Sequence, residues 1–455
     1  MNNTHIINFN KFHVYPELLS LLKTGQTQSA ISLPRSVRLP FLAEISRELN
    51  TPIVFITSKS TRLRVMHEEF DFWSNENLHL LFEEPNVLFY EKRSWSLNTR
   101  RERIGVLAAL AGEYIPRFEK KKQAPVIFAS VKSIMARTIP RRKFIKKFEI
   151  LKLSEEYQIE DLVSNWVLKG YENTDIVVRP GQFSRRGGLL DIWPITDEQP
   201  VRLEFFGNEL DTLRFFDPAS QRSIEKIETI NIPPSSEAIY SGQLRNGEVP
   251  QSFSEFDIPY LYKSFSSVLD YLPSDALIML DNAASLEASA EEIEIQAEKL
   301  RQENIQNGVL EKEYPSPYIS WSEIIDSISR LNVIDLGYPV EMNEQLLSES
   351  FSPSPRFGGQ MEDFINFIEQ NHDQYKKIFI ISKQIDRLKE LKNTGKNDEW
   401  DEQKIELIQG SVSGGWRAVN QDEETTYLFS DQEIFGWRRP LPRLRRIKNY
   451  NPPEF

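Results

Sequence analysis

The segment Ser29-Ala-Ile-Ser-Leu-Pro-Arg-Ser-Val-Arg38 precedes an apolar stretch, Pro40 to Glu48, at the place where a nucleotide-binding fold carries its phosphate loop. Such a loop needs Gly-x-x-x-x-Gly-Lys-Ser/Thr, because bare backbone N–H groups and a lysine ammonium must cradle the phosphates. This segment has no glycine and no lysine, and Pro34 removes a donor. A second chemical position ends the apolar run Ala276-Leu-Ile-Met-Leu280, at Asp281-Asn282. An aspartate there suits a magnesium ion. The residue after it would have to orient the attacking water, and the amide of Asn282 cannot act as a base. Ser36, Asp281 and Asn282 are therefore read as an inactive remnant of a nucleotide site. No cofactor is expected, and neither binding nor hydrolysis of ATP.

A different chemistry is written in Pro200-Val-Arg-Leu-Glu-Phe-Phe206. In a strand, Val201, Leu203 and Phe205 face one side while Arg202, Glu204 and Phe206 face the other. An aromatic beside an arginine on a polar strand face has the composition of an interface hot spot. The competing reading packs Phe206 under a neighbouring loop and pairs Arg202 with Asp191 across a hairpin, since the six-residue loop Pro194 to Gln199 sets 191 opposite 202.

The remaining charged clusters are less specific. Glu291, Glu292, Glu294 and Glu298 fall at helical spacing, the pattern of a solvated face. Between Arg117 and Lys147 stand eleven Lys or Arg against one acid, Glu119, densest at Lys120-Lys121-Lys122 and Arg141-Arg142-Lys143. These six residues are candidates for contacts with a DNA backbone, although runs of this kind more often flank strands as solvated loops. No aromatic ladder interleaves them, which speaks against single-strand binding. The net charge of -12 argues against a general nucleic-acid coat. The chain has no cysteine, so disulfides, thiolate metal sites and a cysteine nucleophile are excluded. No pair among the five histidines has a metal-ligand spacing, and none lies near a Gly-x-Ser-x-Gly turn. Neither a signal peptide nor an apolar stretch of membrane-spanning length is visible, and a cytoplasmic location without membrane contact is expected.

The elements that must position these residues fall into blocks. Residues 1–150 alternate buried strands (Pro52–Thr57, Ala124–Ala129) with helices (Pro40–Glu48, Arg101–Ala111, Val131–Arg137), the pattern of a parallel sheet. Residues 151–235 change to short strands parted by Pro-Gly, Gly-Gly and Gly-Asn: Asp175–Val178, Gly188–Trp193, Val201–Phe206, Leu210–Phe216 and Ile224–Ile232. The α/β texture returns over 236–347, with the strand Ala276–Leu280 and an acidic helix from Ala283 to Gln302. Ser348 to Pro355 reads as a linker into a small α/β unit, 348–436: helix Gln360–Glu369, strand Lys377–Ile381, helix Lys383–Lys392 and strand Thr425–Phe429. Residues 437–455 open on six basic residues and no acid through Lys448, a basic linker that leads the chain to be expected to continue.

The run Pro180-Gly-Gln-Phe-Ser-Arg-Arg-Gly-Gly-Leu-Leu-Asp-Ile-Trp-Pro194, with Pro200 to Asp217 and Ser220-Gln-Arg-Ser223, closely resembles the UvrB-like module of the bacterial transcription-repair coupling factors. Ser267 to Ala276 ahead of the apolar strand, and Leu428 to Gly436 with the basic run, resemble the family in the same order. The resemblance implies a helicase-like α/β domain interrupted by a small antiparallel β domain of the UvrB-interaction type, followed by a small α/β domain. It implies docking of UvrA in transcription-coupled nucleotide excision repair, with the UvrA-contacting residues falling on Arg186, Arg202 and Phe206. It also implies that RNA polymerase and DNA are engaged through C-terminal domains beyond this chain, and that the catalytic motor of the full-length protein lies there. The alternative reading is a working ATP-dependent helicase or translocase of the UvrB type. A third is a structural linker with no affinity for UvrA.

Overall fold

The computed structural model describes residues 3–25, 28–74, 78–118, 123–239, 254–264, 266–337, 347–371, 373–394 and 403–437. A six-stranded sheet forms the centre, in the order Gln28–Ala30, Asn332–Asp335, Leu277–Leu280, Ile53–Thr57, Val126–Ser130, His79–Phe82, and every neighbouring pair is parallel. Continuous apolar runs give this arrangement because both faces of a parallel sheet are covered. Alternate residues supply two cores. Val54, Ile56, Ile127, Ala129, Ile278 and Leu280 enter one. Ile53, Phe55, Val126, Phe128, Leu277 and Met279 enter the other. The helices Arg38–Leu49, Leu97–Ala111 and Ala283–Gln306 agree with the sequence reading, the last two each longer by one turn. No helix among the described residues is long and apolar enough to cross a membrane.

Between the two halves of this domain lies a second six-stranded sheet, ordered Ser223–Lys226, Glu209–Phe216, Val201–Phe206, Leu189–Ile192, Gln182–Arg186, Glu172–Asn173. It is antiparallel except for its last pair. One face packs on helix Ile159–Leu168 through Trp166, Phe183, Leu190, Val201, Leu203 and Leu213, giving this unit its own core. Two expectations are corrected. Asp175–Val178 is not a strand: the N–H groups of Val178 and Arg179 donate to Gln182 Oε1, and the strand is Gln182–Arg186. Ile224–Ile232 is two strands. Ser223–Lys226 edges the six-stranded sheet, whereas Thr229–Ile232 leaves it to pair with Glu149–Lys152. That two-stranded ribbon is the neck through which the chain enters and leaves the β domain.

The last unit is a mixed five-stranded sheet, ordered Phe351–Ser352, Trp416–Val419, Thr425–Ser430, Lys377–Ser382, Ile405–Gln409. Its helices Met361–Gln370 and Ile385–Thr394 lie where the sequence placed them, within two residues. Phe379, Ile381, Trp416 and Leu428 from its other face share a core with the parallel sheet. The segment Ser348–Pro355, read as a linker, is packed: Phe351 pairs in the sheet and stacks on Phe12 at 5.0 Å, and Ser354 Oγ donates to the Leu428 carbonyl. Burying Phe351 outweighs the turn-forming character of the surrounding serines and prolines.

Candidate interaction face and the cleft at Asp281

The polar face of the β domain is laid out by strand register. Ser184, Asp191, Arg202 and Arg214 lie in one row across four strands, and Arg186, Leu189, Glu204 and Thr212 lie in the next. Asp191 is almost wholly buried, and both its oxygens accept from Arg202, at 2.7 Å from Nε and 2.8 Å from Nη2. Arg202 also donates to the backbone carbonyl and the side-chain oxygen of Gln221, and its guanidinium lies 4.7 Å from the centre of the Phe216 ring. The carboxylate beside it raises the Arg202 pKa further above its ordinary value. In the next row Glu204 accepts from Arg214 Nη2 and from Thr212 Oγ1. The two acids and two arginines at the centre of the face are thus paired with each other.

Phe206 stands at the end of this face and is 83% exposed, the most exposed large apolar side chain among the described residues. The hairpin turn begins immediately after it, where Gly207 has a φ of 65° that a side chain would strain. Arg186 is exposed in the strand Gln182–Arg186, and its Nη2 donates to the Asp175 carbonyl at 2.8 Å. By sheet geometry Arg186 and Phe206 are two strands apart, about 10 Å, and offset by about 7 Å along the strands. The two readings of this strand therefore each contribute a part. Arg202 pairs with Asp191 across the hairpin, while Phe206 projects into solvent rather than under a loop.

Ser36, Asp281 and Asn282, read from the sequence as a remnant nucleotide site, line a cleft of about 660 Å³ between the parallel-sheet domain and the small α/β unit. Asp281 accepts from Arg38 through Oδ1, and through Oδ2 from Arg62 Nη1 at 2.6 Å and Thr57 Oγ1 at 3.1 Å. Arg38 is buried and also donates to the carbonyls of Leu33 at 2.9 Å and Leu336 at 2.7 Å. Its guanidinium thus ties the 33–38 segment to the end of the sheet. Asn282 caps the helix Ala283–Gln306, its Oδ1 accepting from the Ser285 N–H at 2.8 Å. Ser36 lies in a short 3-10 turn on the wall of the cleft. The sequence reading missed Arg38 and Arg62. An arginine opening an apolar helix, with a lone aspartate at a strand end far along the chain, was the available signal.

Of the basic candidates, Lys120, Lys121 and Lys122 lie outside the described residues. Arg141, Arg142 and Lys143 open the short helix Arg141–Lys147. Arg141 lies over the Tyr114 ring at 4.1 Å and Lys143 over the Tyr262 ring at 4.7 Å, while the exposed Arg142 has no aromatic partner among the described residues.

Residues 150–237 match the family model described as UvrB interaction domain, which assigns the inserted β unit to that class. Along more of its length the chain is similar to proteins named transcription-repair-coupling factor. The one from Bacillus subtilis (strain 168) is 27% identical over 320 residues, covering 62% of this chain and 26% of the relative. The one from Staphylococcus aureus (strain MRSA252) is 22% identical over 396 residues, covering 76% and 33%. The one from Myxococcus xanthus is 24% identical over 237 residues, covering 51% and 19%. The chain thus spans a third or less of the length of these relatives.

Proposed function

We propose that this chain docks UvrA and serves transcription-coupled repair as a recruiting module rather than as a catalyst. The observation that carries the reading is the exposed Phe206 on the polar face of a UvrB interaction domain, with Arg186 two strands away. An apolar anchor flanked by a planar, multi-donor guanidinium suits a partner surface bearing carboxylates. Arg202 contributes to the same surface chiefly by holding the strands in register, since its donors are already engaged by Asp191 and Gln221. The test is a titration of purified UvrA against this chain. Binding is expected without ATP or polymerase, and Arg186→Glu is expected to weaken it about tenfold or more by placing like charges together. Absence of binding by the folded wild type would rule the function out. Equal binding by Arg186→Glu would move the surface elsewhere. RNA polymerase and DNA are taken to be engaged by other parts of the full-length protein, which would carry the ATP-driven motor, and the protein is taken to act in the cytoplasm.

We also infer that the chain does not hydrolyse ATP. Asp281 is held by two arginines where magnesium would have to bind, and Asn282 spends its oxygen on a helix cap. Phosphate release from ATP should stay at the level of buffer, with or without DNA. Magnesium-dependent turnover that disappears in Asp281→Ala would refute this.

A further inference from the structure

The cleft at the remnant site carries more positive charge than its own acids consume. Four arginines line it, Arg35, Arg38, Arg62 and Arg356, against two carboxylates, Asp281 and Glu433. Both acids are occupied. Asp281 holds Arg38 and Arg62. Glu433 accepts from the N–H groups of Gly415 at 2.8 Å and Ser430 at 3.1 Å and from Ser430 Oγ at 2.6 Å. Arg35 and Arg356 are exposed and make no hydrogen bond or ion pair among the described residues. They reach the cleft from opposite walls, Arg35 from the parallel-sheet domain and Arg356 from the small α/β unit. The walls come close here: a methyl group placed on Gly414 would lie 3.8 Å from the Ser36 Cβ. Burial holds the Arg62 pKa below its ordinary value; Asp281 opposes this, and the nearby charges of Arg35 and Arg38 add to it. An anion in the cleft would relieve that crowding.

The geometry points to a binding site for a polyphosphate chain, clamped between Arg35 and Arg356 and independent of magnesium. Guanidinium groups present paired donors that match phosphate oxygens bidentately. The cleft, about 660 Å³, has room for several phosphates in a row, and among the described residues its apolar lining is Pro34 and Pro353 alone. No aromatic or aliphatic wall among the described residues is available to hold a base, so the recognised chemistry is the phosphate chain alone, whether inorganic or the tail of a nucleotide. A ligand bridging the walls would stiffen the attachment of the small unit to the parallel-sheet domain.

The experiment is calorimetric titration of the whole chain with inorganic tripolyphosphate at fixed ionic strength, repeated with ATP, with adenosine and with magnesium added. Saturable tripolyphosphate binding is expected. ATP should bind about as well through its phosphates, which replaces the expectation from the sequence that ATP does not bind, while adenosine should not bind and magnesium should weaken both anions by neutralising them. The double variant Arg35→Ala, Arg356→Ala should fold as wild type does, because neither side chain has a partner among the described residues to lose, and should bind at least about tenfold more weakly. No binding beyond that of an equal concentration of chloride, or unchanged binding by the folded double variant, overturns the site. ATP binding at least about tenfold tighter than tripolyphosphate, or strengthened by magnesium, would show a nucleotide site of the ordinary kind and overturn it equally. None of these outcomes bears on UvrA.

Discussion

Phe206→Ala is expected to weaken UvrA binding about thirtyfold, or about 2 kcal/mol, while leaving the melting temperature of the chain unchanged. The two halves of that expectation have one cause. At 83% exposure the ring packs against little in the free chain, so truncating it removes no core contact. In the proposed complex the same ring would become the apolar anchor of a face whose other central groups are paired internally. The measurement is a UvrA titration beside a thermal melt of each variant. Unchanged affinity sinks the assignment of Phe206. Arg202→Glu, the more obvious charge reversal, gives a less informative result. It sets a second carboxylate against the buried Asp191 and removes that residue's two charge-assisted bonds, a loss of about 3 kcal/mol or more of stability. Its effect on UvrA would arrive together with damage to the β domain, whereas Phe206→Ala and Arg186→Glu separate the two.

Glu237→Ala is expected to destabilise the chain by about 3–5 kcal/mol, a large part of the stability of an ordinary domain. Glu237 is almost completely buried where the chain re-enters the parallel-sheet domain. Its carboxylate accepts from Arg103 Nε, from Arg103 Nη2 at 3.3 Å and from Thr138 Oγ1. Arg103 is itself fully buried, lies 4.0 Å from the centre of the Phe82 ring and 4.7 Å from that of Trp95, and donates to the Glu83 carbonyl at 3.1 Å. Removing the carboxylate strands a guanidinium charge among aromatic rings. The urea midpoint, followed by tryptophan fluorescence, should fall accordingly, while UvrA affinity measured below the transition should hold because the Phe206 face is untouched. A loss under about 1 kcal/mol would mean that water reaches Arg103 and replaces the acid.

Much of the architecture is legible in the sequence because its signals are local. The run Ile53–Thr57 is apolar throughout and becomes a strand buried on both faces. The alternation from Val201 to Phe206 and the length of the preceding loop place Asp191 opposite Arg202, and the register agrees. The failures share a cause as well. Gln182–Arg186 has one apolar side chain, Phe183, and becomes a strand through pairing with Leu189–Ile192. Nothing within Ile224–Ile232 announces that its second half will leave one sheet for Glu149–Lys152, a partner some eighty residues earlier in the chain. Ile405–Gln409 and Trp416–Val419 likewise owe their strand character to neighbours. At the Asp281 cleft the missing glycines could be read directly, but the residue that ties the cleft together could not. Arg38 finds Asp281 and Leu336 at separations of 243 and 298 residues.

The neck formed by Glu149–Lys152 and Thr229–Ile232 bears on how such a protein arises. Glu149 and Ile232 face each other across an antiparallel pair, so the inserted unit begins and ends about 5 Å apart. To the surrounding domain, everything between those residues is topologically a hairpin loop, and lengthening a loop raises its closure entropy only logarithmically. The unit has a core of its own around Trp166 and Phe183, and beyond the neck it touches its host through Ile195, which enters one core of the parallel-sheet domain, and through Glu198, which pairs with Arg101. A gene can therefore lengthen, shorten or exchange the stretch at little closure cost to the parallel sheet, provided that the replacement also fills the place of Ile195 in the host core.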